Sequence, residues 1–130
     1  MASGVSKPLV HVVDDDDAVR DSLDAYLTLK GMVVTVFGSA REVLDHQGMA
    51  PDVLILDVNM PDTDGFLLLD ILRSRGQRGP AVFITGLGDA DLRLRAERAG
   101  AAAFLDKPLN PPVLLATLNR LLASAAPKIT

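Results

Sequence analysis

Asp52-Val53-Leu54-Ile55-Leu56-Asp57 holds four consecutive apolar residues between two carboxylates. A strand that is apolar on both faces must be covered on both, so this run predicts a central strand of a parallel sheet. On either side of it the chain alternates apolar runs of strand length with segments of helical period, the pattern of an α/β fold. Leu9 to Val13 predicts a first strand, and Ala18 to Lys30 a helix stopped by Gly31, which suits a left-handed C-terminal cap. Val33 to Phe37 is a β-branched second strand, after which Ser39 caps a helix from Ala40 to about Gln47. Past the third strand, Asp52 to Asp57, a turn at Pro61 to Asp64 leads through Gly65 into a helix ending near Arg75. Ala81 to Thr85 makes a fourth strand, and the glycine-rich loop after it is expected to move around Leu87, between Gly86 and Gly88. Asp89 caps a helix to Ala99, closed by Gly100. Ala102 to Leu105 is a short fifth strand, and Asn110 with two prolines opens a last helix from Pro111 to about Ala125. The expected fold is α/β, a doubly wound five-stranded parallel sheet flanked by five helices.

The length of 130 residues suits one domain with one core, so residues 1–130 are expected to form a single domain, its core at about 9–125. With 48% hydrophobic and 23% charged residues the composition argues against disorder. The absence of cysteine excludes disulfides, thiolate metal sites and cysteine catalysis, and it fits a reducing cytosol. Met1 to Pro8 lacks the pattern of a secretory signal and no apolar run reaches membrane-spanning length, so a soluble, cytoplasmic protein with no membrane contact is expected. A net charge of -4 provides no basic footprint for direct nucleic acid binding. The local runs Arg73 to Arg78 and Arg93, Arg95 and Arg98 read as solvated helix faces.

Asp14 and Asp15 end the first predicted strand, Asp57 ends the third, and Lys107 follows the fifth. In an open α/β sheet that edge is where ligands bind. Two carboxylates about 4 Å apart repel by roughly 4 kcal/mol at an effective dielectric near 20, so the cluster requires a cation or must take up protons. Oxygen ligands alone, with no cysteine and no nearby histidine, select Mg²⁺ or Mn²⁺ over Zn²⁺. Asp16 and Asp17 read as caps or solvated first-turn residues of the helix that follows.

Val12-Val13-Asp14-Asp15, then Leu56-Asp57-Val58-Asn59-Met60-Pro61 with Gly65, then Ile84-Thr85-Gly86, then Phe104-Leu105-Asp106-Lys107-Pro108 resemble, in order and spacing, the receiver domain of two-component response regulators. The resemblance runs from about Leu9 to Leu122. His11 and the stretch from Ile84 to Asp89 are most similar to the nitrogen-fixation, FixJ-like subfamily. It implies a flavodoxin-like receiver architecture in which Asp57 accepts a phosphoryl group from a sensor histidine kinase. Asp14, Asp15, Asp57 and the backbone carbonyl of Asn59 would hold Mg²⁺, with Asp14 acting largely through water. Lys107 would sit on Asp57 before phosphorylation and on the phosphoryl oxygens after it, and the Thr85 hydroxyl would donate to one of them. Gly86 would leave room for the entering phosphohistidine, and Pro108 matches a cis-proline. Thr85 and Phe104 would form a switch in which the hydroxyl moves toward the phosphoryl group and the ring turns inward.

The resemblance also implies output through the fourth helix, fifth strand and fifth helix. The wide apolar stripe of Val113, Leu114, Leu115, Leu118, Leu121 and Leu122 suggests a homodimer there, with core packing as the plainer account. With only Pro127 to Thr130 after the last helix, a stand-alone regulator is expected, acting on a downstream or phosphotransfer protein and not turning over as an enzyme. The alternatives are an adaptor module that works without phosphorylation, which should lack the acidic pair, acceptor or lysine, and a phosphorelay shuttle or phosphate sink. A dehalogenase-type phosphatase would carry a second aspartate where Asn59 stands. A flavodoxin-like cofactor carrier would not place Asp14 to Asp17 in its phosphate loop.

Overall fold

The structure, a computed structural model, describes residues 7–86 and 90–125. Strands β1 (Leu9–Val13), β2 (Val33–Phe37), β3 (Val53–Asp57), β4 (Ala81–Thr85) and β5 (Ala103–Asp106) alternate with helices α1 (Asp17–Leu29), α2 (Ala40–Asp45), α3 (Gly65–Ser74), α4 (Ala90–Arg98) and α5 (Pro111–Ala125). All strand pairs are parallel and the order is β2-β1-β3-β4-β5. β3 is therefore central, as its apolar run requires, and it is buried from end to end together with β4.

Alternation along the strands divides the core in two. On one face Leu54, Leu56 and Phe83 pack under α2, α3 and Ala96 of α4. On the other, Val12, Ile55 and Ile84 pack under Leu23 and Leu27 of α1 and Leu114, Leu118 and Leu121 of α5. This is the doubly wound arrangement. A fully buried leucine contributes about 2 kcal/mol and a buried alanine methyl under about 1 kcal/mol. The three leucines thus fix α5 far more firmly than Ala96 fixes α4. Of the apolar stripe on α5, Leu115 and Leu122 are half-buried against the same core and Val113 is half exposed, so core packing accounts for most of its width.

Element boundaries differ from the expected ones where a side chain intervenes. α1 begins at Asp17 because the Asp16 carboxylate accepts the Ala18 N–H at 2.9 Å. Gly31, in the left-handed region at φ 91°, follows its cap. α2 stops at Asp45, short of Gln47, because His46 turns extended and packs edge-to-face on His11 and Phe37, with ring centroids 5.3 and 5.1 Å apart. Asp52 stays outside β3, its carboxylate accepting the Leu9 N–H at 2.8 Å. α3 ends at Ser74 with Arg75 as its cap, and α4 at Arg98. β5 lies one residue later than expected, in register with Val82 to Thr85 of β4. The expected cap at Asp89 and the loop through Leu87 and Gly88 lie outside the described residues. Among the described residues no helix is long and apolar enough to cross a membrane.

Candidate functional site

Because β1 and β3 are neighbours, their carboxyl ends bring Asp14, Asp15 and Asp57 to one edge of the sheet. The chain leaving β5 carries Lys107 back over that edge. One carboxylate oxygen from each of the three aspartates lies within 4.8 Å of the others. Asp14 is fully buried and Asp57 is 4% exposed, while Asp15 stands at the open mouth.

Backbone groups seat these side chains. Asp14 donates its N–H to the Phe37 carbonyl at 3.1 Å, and its Oδ1 accepts the N–H of Asp16 at 2.9 Å. Arg20, from the first turns of α1, donates to the Asp14 backbone carbonyl at 2.8 Å. Asp57 Oδ1 accepts the N–H of Asn59 at 3.3 Å. Asn59 itself is exposed and forms an isolated bridge with Asp64, whose side chain caps α3 by accepting the Leu67 N–H at 2.7 Å. The loop between β3 and α3 is tied down again at Asp62, whose carboxylate accepts the N–H groups of Ala40 and Arg41 at 3.3 and 3.0 Å. Nothing local in the sequence marks Arg20 or Asp62 for these tasks, since Asp62 reaches helix amides 22 residues away.

Lys107 meets Asp57 and also a second carboxylate, Asp14. Its Nζ lies 2.8 Å from Asp14 Oδ2 and 3.6 Å from Asp57 Oδ2, so in this state it rests mainly on Asp14. Asp14 Oδ2 is buried, and the Lys107 ammonium is its close partner. The Lys107 N–H donates to the Thr85 carbonyl at 2.8 Å, which places the fully buried Thr85 beside the lysine. The Lys107-Pro108 bond is cis. Phe104 is half-buried and in register with Phe83, two residues before Thr85.

Two glycines behave differently. A Cβ on Gly65 would collide with the Asp57 carbonyl, and Gly65 donates its own N–H to the Val58 carbonyl at 2.8 Å. The absent methyl lets α3 start against the end of β3. Among the described residues a Cβ on Gly86 would meet nothing within 4 Å.

Three carboxylates share one ammonium. Burial pushes the Asp57 carboxyl up to about 7, Asp14 adds to the rise, Lys107 and the Asn59 N–H oppose it, and Asp15 raises it slightly further. For Lys107 burial works to lower the pKa, but the contact with Asp14 and the charges of Asp57, Asp14 and Asp16 outweigh it and the net shift is upward. Three carboxylates balanced by one ammonium leave an excess of negative charge on oxygen donors alone, which fits a hard divalent cation.

Residues 10–119 match the model of the response regulator receiver domain family. The chain belongs to that family of two-component signalling domains. It is 40% identical over 119 residues to the transcriptional regulatory protein FixJ of Azorhizobium caulinodans, covering 90% of this chain and 56% of that protein. The chain spans little more than half the length of the FixJ relatives it matches. A CheY-like receiver domain protein from Methanospirillum hungatei superposes with a TM-score of 0.86 at 26% identity, covering 92% of this chain and 97% of that one. The BeF3-activated DrrB receiver domain superposes with a TM-score of 0.84 at 28% identity, covering 90% and 98%.

Proposed function

We propose that Asp57 accepts a phosphoryl group from the phosphohistidine of a sensor kinase. The single observation that carries this reading is the cluster itself: Asp14, Asp15 and Asp57 within 4.8 Å of one another, with the Lys107 ammonium between Asp14 and Asp57. A carboxylate oxygen of Asp57 forms the new P–O bond as the P–N bond of the donor breaks, and the departing imidazole keeps the electron pair and takes up a proton. Asp57 is held for in-line attack by the Asn59 N–H on Oδ1, which leaves Oδ2, 3.6 Å from the Lys107 ammonium, to form the new bond. Lys107 slides from Asp14 toward the new phosphoryl oxygens, a short displacement given its present 2.8 and 3.6 Å contacts. Thr85 donates its hydroxyl to another of those oxygens. Asp14, Asp15, Asp57 and the Asn59 carbonyl would hold Mg²⁺, or Mn²⁺, which when bound supplies positive charge at the transferring phosphoryl group. Gly86 carries no side chain to obstruct the approach. The transfer is stoichiometric rather than a turnover reaction.

The signal then leaves through Thr85 and Phe104 to the face formed by α4, β5 and α5, where a downstream protein or a second copy of the chain would bind. Leu94 and Val113, 44% and 50% exposed, supply apolar surface on that face. Light scattering that stays monomeric at high concentration, with and without phosphorylation, would exclude the dimer. The acceptor is tested by incubating the protein with its cognate kinase, ATP and Mg²⁺. A phosphate-sized mass increase is expected in the wild type and absent in Asp57→Asn, and its persistence in the variant refutes the assignment.

A further inference from the structure

α4 is the helix that the core holds least. Of its nine residues, all described, Ala96 alone is buried. Leu92 packs part-buried against the same core, and two arginines fasten the helix further, one to each side. Arg93 donates to Asp106 Oδ2 at 2.7 Å, and its guanidinium carbon lies 4.9 Å from the centroid of the Phe104 ring. Arg95 lies 3.7 Å from Asp64 Oδ2 and 4.6 Å from the centroid of the Phe66 ring. Both contacts join a planar guanidinium, the ring it covers and a carboxylate, which Arg93 hydrogen-bonds and Arg95 meets only as an ion pair. Their destinations differ. Asp64 is bridged to Asn59 at one side of the acidic cluster, whereas Asp106 immediately precedes Lys107 at the other.

We propose that Arg93 is a positioning residue that latches Phe104 in its half-buried place, and that the latch opens when Lys107 moves toward a phosphoryl group. The inference rests on the acceptor reading of Asp57 for its second half only. The ring cannot turn inward while the guanidinium lies over it without giving up that contact, and the guanidinium cannot leave without losing Asp106. Because Asp106 and Lys107 are adjacent on the backbone, a displacement of the lysine is felt at the ion pair. An interaction present before phosphorylation and lost after it opposes the phosphorylated arrangement, so removing it must favour that arrangement by the same factor. Arg93 and Asp106 are each about half exposed, at 51% and 52%, which keeps the factor modest. Arg95 is the internal control, since it carries the same charge and the same kind of ring contact on the same helix without touching Phe104.

The test titrates the wild type, Arg93→Gln, Arg93→Lys and Arg95→Gln with beryllofluoride and Mg²⁺ while the Phe104 ring is followed by NMR. Arg93→Gln is expected to bind the analogue about threefold to tenfold more tightly. Its Phe104 signal, before any analogue is added, should already lie partway toward the position reached by the saturated wild type. Arg93→Lys should fall between the two, and Arg95→Gln should match the wild type in both readouts. A Phe104 signal unchanged in analogue-free Arg93→Gln overturns the latch, as does an equal gain in Arg95→Gln. Failure of the acceptor reading looks different: the wild type then binds no analogue, or Asp57→Asn binds it equally well. Release of the ring in analogue-free Arg93→Gln would still support the latch in that case.

Discussion

Replacing Asp57 with asparagine should make the metal-free protein more stable at neutral and alkaline pH. The carboxyl has an ordinary pKa of 3.8 in the unfolded chain and about 7 in the fold, raised first by burial and then by Asp14. Between those values the native state binds more protons than the unfolded state, so stability falls as pH rises through the window. A difference of about three units at 1.4 kcal/mol per unit sets a ceiling near 4 kcal/mol for the cost of holding the charge above pH 7. Asparagine keeps the shape and can still accept the Asn59 N–H, but it loses the attraction of Lys107 and must itself be desolvated. A net gain of about 2 kcal/mol is expected, or roughly 8 °C in midpoint for a domain of this size. The measurement is thermal and urea unfolding in a chelator at pH 8 and again at pH 4. At pH 4 the wild-type carboxyl is largely protonated in the fold, and the gain should shrink below about 1 kcal/mol. Saturating Mg²⁺ should narrow or reverse the order, since the variant loses a ligand. A variant no more stable than the wild type at pH 8, or one with an equal gain at pH 4, would show that the three carboxylates do not strain the fold as described.

Gly65→Ala should cost about 1–3 kcal/mol in urea unfolding, because the methyl meets the Asp57 carbonyl, and should slow phosphorylation by displacing the acceptor; wild-type values for both would remove the close approach from the account. Asp62→Ala should lose about 1 kcal/mol through the freed amides of α2 and bind Mg²⁺ severalfold more weakly by calorimetry as the loop carrying Asn59 loosens; unchanged Mg²⁺ affinity would confine Asp62 to capping. His11 is held at about 4, below its usual 6.5, by burial and by His46, so its contribution is present above pH 6.5 and is lost as pH falls toward 4. In the Asp57→Asn background, where the opposing titration is gone, stability should drop by about 2 kcal/mol between pH 7 and pH 5. His11→Phe should flatten that slope, and a slope that survives the substitution assigns it to other groups.

All five strands and all five helices were legible in the chain, because each strand carries an apolar run and most helices carry a cap or a glycine stop. The misplaced ends have tertiary causes. His46 leaves α2 to reach His11, 35 positions earlier in the chain, and no local pattern announces such a contact. At the site, Asp14, Asp15, Asp57 and Lys107 stood out because they follow strands and because their residue types match a family pattern. Arg20, Asp62 and Arg93 did not, since an arginine on a helix or an aspartate in a turn has an ordinary surface explanation. The run of Arg93, Arg95 and Arg98 read as a solvated face, and solvent exposure was correct for all three. Missing was the knowledge that Phe104 and Phe66 lie beneath the first two, which only the packing of α4 across β5 and α3 reveals.

The strand order has a bearing on how the molecule comes to fold. Its acidic cluster draws on β1 and β3, while the balancing ammonium arrives behind β5, the edge strand reached only by the fourth crossover. Parallel pairings of this kind close slowly, because each requires a long loop to be ordered before it is rewarded. A chain that has zipped β1 against β3 but not yet β5 therefore gathers three carboxylates with no lysine among them, and such an intermediate is penalised by its own charge. Refolding should accordingly run faster in acid-shifted or divalent-rich buffer than in a neutral chelator, and competence to accept phosphate should appear only with the final pairing, which makes phosphorylation a readout of completed folding.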